Sequence, residues 1–187
     1  MFFPISRQGT VTREGKLHTF LIVDISGYST LTEIDGDEAA ADVAINFACE
    51  VSRLAAEHRA EVVKTLGDAA MIRCDSAADA IELGLRLHHG SDVLPPLHAG
   101  IHTGPAVARA GDWWGATVNV ASRVANAAEA GQLLVTEAAK RAAGAASHSL
   151  RDIGPLFLKN ISAPVRVYAA EAGEGFAGST ALVPAAA

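Results

Sequence analysis

The chain has 187 residues, half of them hydrophobic and 19% charged, with a formal net charge of −6. That length supports one domain with a substantial core, and the composition is ordinary for a globular protein. The acidic balance argues against a sequence-independent nucleic-acid surface, and no apolar run approaches the length of a membrane span, so neither nucleic acid nor membrane is an expected partner.

Residues 1–17, opening "MFFPISRQG", lack the long apolar stretch of a signal peptide and read as an N-terminal arm. Residues 18–171 read as the folded domain, 172–187 as a flexible tail, and the chain as cytoplasmic. The two cysteines, Cys49 and Cys74, match no metal or redox spacing and read as buried free thiols.

"HTFLIVDIS" (18–26) is a short apolar, β-branched run ended by Gly27, which predicts a buried strand. "GDEAAADVAINFACEVSRLAAEH" then places Ala40, Val43, Ala44, Phe47, Ala48, Val51, Leu54 and Ala55 on one helical face. "AEVVKTLGDAAMIRC" (60–74) predicts two strands joined tightly at Gly67-Asp68. Ser76 followed by Asp79 predicts a helix start, that helix runs to about His89, and Pro95-Pro96 closes the section. "LHAGIHTG" reads as a strand and "PAVARAG" as its hairpin partner. The spacing from Gly115 predicts a helix over 115–129, followed by a strand at "QLLVT", a short Ala-rich helix and strands near 148–159 and 165–170. Strand, helix, strand, strand, helix, strand up to residue 103 is the split βαββαβ order. The fold class is therefore α+β: a ferredoxin-like core, an antiparallel sheet with helices on one face, extended by further strands and helices.

Several residues in this frame carry chemistry. Asp24 ends the first strand and Asp68 lies in the turn between the second and third. An aspartate at the end of an apolar run is costly to bury unpaired, and two on adjacent central strands favour a Mg²⁺ site, which needs few carboxylates. After Asp24, "SGYSTLTE" leads toward a helix start whose N–H groups suit phosphate. Lys64, in "KTLGD", is expected to face away from Val63 and Leu66. Asp112 precedes Trp113-Trp114 and reads as a turn residue. A lysine and an aspartate together match the adenine edge, which offers an acceptor at N1 beside a donor at N6. In the 115–129 helix, Val118, Ala121, Ala125 and Ala128 form an apolar stripe, and beside it run Asn119, Ser122, Arg123 and Asn126. Arg123 suits phosphate oxygens, and Asn119, one turn earlier, a ribose or phosphate oxygen.

These segments resemble the class III nucleotidyl cyclases, the adenylyl and guanylyl cyclase catalytic domains, in their compact bacterial form. "FLIVDISGYSTL" resembles the family's first metal motif, "VKTLGDAAM" its base-lysine and second metal segment, and "GDWWGATVNVASRV" its substrate-aspartate and transition-state helix. The resemblance covers roughly residues 18–171. It implies Asp24 and Asp68 as ligands of two Mg²⁺ or Mn²⁺ ions, Lys64 and Asp112 as adenine readers, and Asn119 and Arg123 as transition-state stabilisers. It extends to Lys159, in "FLKNISAPVRVY", as a triphosphate contact ranked below those six. Asn160 stands there where the family ending commonly reads Gly, a change that a left-handed turn tolerates. Pro105 stands after "HTG" where some members carry Arg or Glu.

The implied reaction is closure of ATP to 3′,5′-cyclic AMP and pyrophosphate by a two-metal mechanism. The implied assembly is a head-to-tail homodimer in which each site takes its metal aspartates and its transition-state helix from different copies. Two alternatives stand beside this reading: a guanylyl cyclase, against which Lys64 and Asp112 weigh, and a catalytically weak nucleotide-binding module, against which the six intact positions weigh.

Overall fold

A computed structural model describes residues 15–89, 94–145 and 149–172. The βαββαβ order is present as β1 (Leu17–Ile25), α1 (Tyr28–Glu57), β2 (Glu61–Leu66), β3 (Ala69–Cys74), α2 (Ala77–His89) and β4 (Leu97–Pro105). It continues through β5 (Val107–Arg109), β6 (Asp112–Trp114), α3 (Ala116–Ala125), β7 (Leu133–Thr136), α4 (Glu137–Ala143), β8 (Ser149–Leu156) and β9 (Val165–Glu171). The main sheet runs β2-β3-β1-β4-β7-β9-β8, antiparallel except where β4 meets β7. This is the expected α+β class. The expected arm and tail lie outside the described residues, apart from 15–17 and 172. No described helix is long and apolar enough to cross a membrane.

Strand alternation decides which residues face which layer. Leu21, Val23, Ile25, Ile72, Ala99, Ile101 and Val135 point to one face and pack with Phe47, Val51 and Leu54 of α1, with Ile81, Leu83 and Leu85 of α2, and with Ala139 of α4. The opposite face, with Phe20, Met71, Leu134 and Val167, is covered by α3 through Val120, Ala121 and Val124. Helices thus cover one face of the βαββαβ core, as its order predicts, and α3 adds a layer on the other. Its buried face is Thr117, Val120, Ala121, Val124 and Ala125; of the stripe expected from the sequence, Ala121 and Ala125 are buried and Val118 and Ala128 partly buried, and the helix ends at Ala125 and not at 129.

Helix starts follow local chemistry. The Ser76 hydroxyl accepts from the backbone N–H groups of Ala78 (3.1 Å) and Asp79 (3.3 Å), the expected cap of α2. The first helix begins at Tyr28, earlier than its apolar periodicity indicates, and breaks at Gly36 (φ 87°, ψ 170°). The residues before Gly36 are helical but largely exposed, so they carry no apolar stripe to read.

Three expectations need correction. "PAVARAG" does not pair with β4. Its strand β5 pairs with β6 in a separate two-stranded ribbon, with Arg109 opposite Asp112 across the two-residue turn Ala110-Gly111. Both turn residues have positive φ (53° and 74°), the geometry that suits a two-residue hairpin. Asp112 is accordingly a strand residue and not a turn residue. Cys49 is exposed on the outer side of α1, whereas Cys74 is buried as expected, and burial pushes its thiol up to about 12. The third correction concerns the facing of Lys64 and belongs with the site.

Candidate active site

The site is assembled where β1, the β2–β3 turn and α3 meet. Asp24 is the penultimate residue of β1 and is paired in register with Ala69 of β3, next to Asp68. The backbone N–H of Ile25 donates to the Asp68 carbonyl at 3.0 Å and locks strand end to turn. Strand parity sends Asp24 to the α3 face, with Phe20 and Ile22, because Leu21, Val23 and Ile25 point the other way.

Asp24 is only partly satisfied by its neighbours. Its Oδ1 is buried without a hydrogen bond. Burial raises the carboxyl above the usual aspartate range, and the charge of Asp68 pushes in the same direction. A carboxylate with an orphaned buried oxygen beside a second carboxylate suits a divalent cation that lacks other protein ligands. Among the described residues no group of three or more His, Cys, Asp or Glu forms a ready cage. Mg²⁺ and Mn²⁺ need few carboxylates and keep several coordination positions for water and phosphate oxygens.

Lys64 reaches the same cleft and, against expectation, shares its sheet face with Val63 and Leu66. The pairing of β2 with β3 slips between Val62 and Lys64, so Val63 is an extra residue. A bulge sets two residues against one partner and cancels one step of alternation. Val62 therefore packs with the α1/α2 layer, Val63 with Phe20 and Met71, and Lys64 and Leu66 line the cleft. Lys64 Nζ donates to Asp112 Oδ2 at 2.6 Å, across the space between β2 and the β5–β6 ribbon. Asp112 Oδ1 also accepts from the Trp113 N–H at 2.8 Å. The hydrogen bond from Lys64 holds the Asp112 carboxyl below the usual carboxylate range, so near neutral pH it is an acceptor only.

An open cleft of about 230 Å³ lies between these groups and α3. It is lined by Asp24, Lys64, Leu66, Met71, Val118 and Asn126 among others. Apolar walls with one lysine and one carboxylate suit a flat base with a polar edge and a charged tail. Asn119 and Arg123 do not line it. Asn119 is exposed and Arg123 half-buried one turn away, and neither side chain bonds to another described residue. Lys159 is exposed in the loop between β8 and β9, outside the cleft, and Asn160 beside it has φ 62°, the left-handed turn its substitution for Gly predicts. The structure thus places Asp24 and Lys64 in the lining of one cleft, with Asp68 beside Asp24 and Asp112 bonded to Lys64, while Asn119, Arg123 and Lys159 stand outside that lining.

The two tryptophans divide their roles. Trp113 packs inward on His18 and Phe20 with ring centroids 4.3 and 5.7 Å apart, under the Arg73 guanidinium. Trp114 is 59% exposed on the ribbon, next to Val107. Sequence reasoning passed over Ser26 and His98, which stand beside Asp24: the Ser26 hydroxyl lies 3.1 Å from His98 Nδ1, and His98 Nε2 lies 3.5 Å from Asp24 Oδ2. The only signal for them was the register of β1 on β4, which one sequence does not display.

Residues 13–171 match the family described as the adenylate and guanylate cyclase catalytic domain. A pH-sensitive adenylate cyclase of Mycobacterium tuberculosis is 34% identical over 168 residues, covering 86% of this chain and 42% of that enzyme, so the chain spans less than half of its relative's length. The crystal structure of the adenylyl cyclase CyaB from P. aeruginosa superimposes with a TM-score of 0.73 at 24% identity, over 86% of this chain and 96% of that one. That of the guanylyl cyclase Cya2 does so with 0.72 at 18% identity, over 86% and 95%. The fold is shared equally by an enzyme named for each nucleotide, so base preference rests on side chains.

Proposed function

The chain belongs to the family of class III cyclase catalytic domains, and from that premise we propose that it converts ATP to 3′,5′-cyclic AMP and pyrophosphate at sites shared between two copies. The observation that carries the choice of ATP is the Lys64–Asp112 pair, 2.6 Å apart at the edge of the cleft that holds Asp24. It offers one fixed donor beside one fixed acceptor. Adenine presents the complement, N1 accepting from the Lys64 ammonium and N6–H donating to the Asp112 carboxylate. A guanine edge offers O6 to the lysine and N1–H to the aspartate only after a shift of the base, so ATP is preferred. Relatives named as adenylate cyclases support the same choice.

The reaction joins the ribose 3′-oxygen to the α-phosphorus and breaks the bond from that phosphorus to the oxygen leading to the β-phosphorus. The 3′-hydroxyl proton is lost and pyrophosphate leaves. Asp24 and Asp68 would hold two Mg²⁺ or Mn²⁺ ions, which when bound neutralise phosphate charge and favour ionisation of the 3′-hydroxyl. The chain's own groups do the rest. Lys64 and Asp112 fix the base, and the apolar walls of Leu66, Met71 and Val118 hold its faces. This orients the ribose so that attack becomes effectively intramolecular within a held geometry. Arg123 forks onto oxygens whose charge grows as the bond to pyrophosphate breaks, and Asn119 holds a ribose or phosphate oxygen, so both act more strongly on the transition state than on bound ATP.

Asn119 and Arg123 do not line the cleft of their own chain, although Ser122 and Asn126 of the same stripe do, and neither Asn119 nor Arg123 has a side-chain partner among the described residues. A second copy, arranged head to tail about a two-fold axis, brings that stripe over the Asp24–Asp68 end of its neighbour and creates two equivalent sites. The test is product identity. The protein with ATP or GTP and Mg²⁺ or Mn²⁺ yields cyclic AMP in excess over cyclic GMP, and Asp24→Ala yields neither. Equal turnover of both nucleotides refutes the base assignment, and cyclic AMP formation by Asp24→Ala refutes the metal assignment.

A further inference from the structure

We infer that His98, held by Ser26, is a positioning residue for the Asp24 carboxylate, setting which of its oxygens is offered to the divalent cation. This rests on the reading of Asp24 as a metal ligand. His98 lies directly across from Asp24 in the β1–β4 pairing, so both side chains project from the same face of the sheet. Its Nδ1 is 3.1 Å from the Ser26 hydroxyl and its Nε2 is 3.5 Å from Asp24 Oδ2. Ser26 is itself fixed, because its backbone N–H donates to the Pro96 carbonyl at 2.9 Å.

In the tautomer whose Nδ1 accepts from the Ser26 hydroxyl, the Nε2–H is directed at Asp24 Oδ2. His98 then stands beside one carboxylate oxygen of Asp24, Oδ2. The other, Oδ1, is buried and unpartnered, which is the state wanted of an atom reserved for a cation. An imidazole suits the task because its two ring nitrogens, held on one rigid plane, face Ser26 and Asp24 at once and so restrict rotation of the carboxylate. Groups that hold a ligating side chain in this way typically change metal affinity by roughly 10- to 100-fold when removed.

The test is Mn²⁺ binding to the full chain, followed by calorimetry in the presence of a non-cyclisable ATP analogue, with cyclase activity titrated against Mn²⁺ in parallel. His98→Ala should weaken Mn²⁺ binding roughly 10- to 100-fold, with kcat recovering toward wild type at saturating metal. His98→Gln, whose amide N–H sits near the position of Nε2, should restore most of the affinity. Ser26→Ala, which removes only a hydroxyl, should weaken binding less than His98→Ala. A merely structural role for His98 would lower the melting temperature without this selective shift in metal dependence. Wild-type Mn²⁺ affinity in folded His98→Ala, together with lost affinity in Asp24→Ala, overturns this inference alone. Wild-type affinity in Asp24→Ala overturns the metal reading and this inference with it.

Discussion

Gly100 is where α3 approaches the sheet most closely, and Gly100→Ala tests how tightly that helix is fixed. A Cβ at residue 100 would lie 2.2 Å from the Ala125 backbone nitrogen, 2.8 Å from the Ala121 carbonyl oxygen and 2.8 Å from the Ala125 Cα. All three are backbone atoms, so no side-chain rotation relieves the overlap, and α3 must retreat by roughly 1 Å to restore van der Waals separation. The α3 side chains that retreat with it include Val120, Ala121 and Val124, which bury against the sheet. Overpacking of this kind costs typically 1–3 kcal/mol, and backbone against backbone places this case near ~3 kcal/mol. For a chain of this length that lowers Tm by about 6–12 °C. The same helix carries Asn119 and Arg123, and a shift on the order of 1 Å at a reacting centre can cost about a hundredfold in rate. Melting followed by circular dichroism, and cyclic AMP formation by the folded variant, read the two effects. Gly104→Ala is the control, since its Cβ meets only the Thr117 side chain, at 2.6 Å from Oγ1. A Tm for Gly100→Ala no lower than that of Gly104→Ala would refute the close approach of α3 to β4.

The fold should also lose stability in mild acid. Burial lowers His102 to about 4 and shifts His88 and His18 down as well, with Arg73 adding to the effect on His18. These rings are neutral in the fold, whereas the unfolded chain takes up protons near pH 6.5, so their contribution is complete above that value and drains away between about 6.5 and 4. For His102 alone about 2 kcal/mol is at stake after allowing for its exposed part. Urea midpoints at pH 7 and pH 4.5 read the loss, and His102→Asn should flatten the slope; an unchanged slope contradicts the assignment. Ala110 sits at φ 53° in the β5–β6 turn, so Ala110→Gly should stabilise by about 0.5–1 kcal/mol, read as a raised Tm. Replacing Lys64 with Glu and Asp112 with Cys should reduce kcat/KM for ATP by about a hundredfold and spare GTP relative to it. An unchanged preference for ATP would remove the pair from base recognition.

What could be read from the sequence was whatever chain-local patterning encodes. The apolar run ending in Asp24 and the tight Gly67-Asp68 turn located the two neighbouring carboxylates, because strand ends and turns are marked by their own residues. The facing of Lys64 was missed because one extra residue, Val63, reverses parity and leaves no trace in composition. The partner of β5 was missed because Ala110 is an unusual occupant of a left-handed turn position, so the hairpin carried no Asn-Gly signature. The link from Ser26 through His98 to Asp24 spans 72 residues between its first two members and exists only through the register of β1 on β4.

Complementation of two inactive chains is the most direct test of a cyclase site built across two copies. Asp24→Ala removes a proposed metal carboxylate and Asn119→Ala a proposed transition-state group outside its own chain's cleft lining, so each homodimer should be nearly inactive. Mixed and allowed to exchange, they form hybrids in which one site carries both defects and the other carries neither. With random pairing half the dimers are hybrids with one good site of two, so about a quarter of wild-type cyclic AMP formation should return. Activity that stays at the level of the separate variants, once tag pull-down has shown that hybrids form, would contradict the shared site.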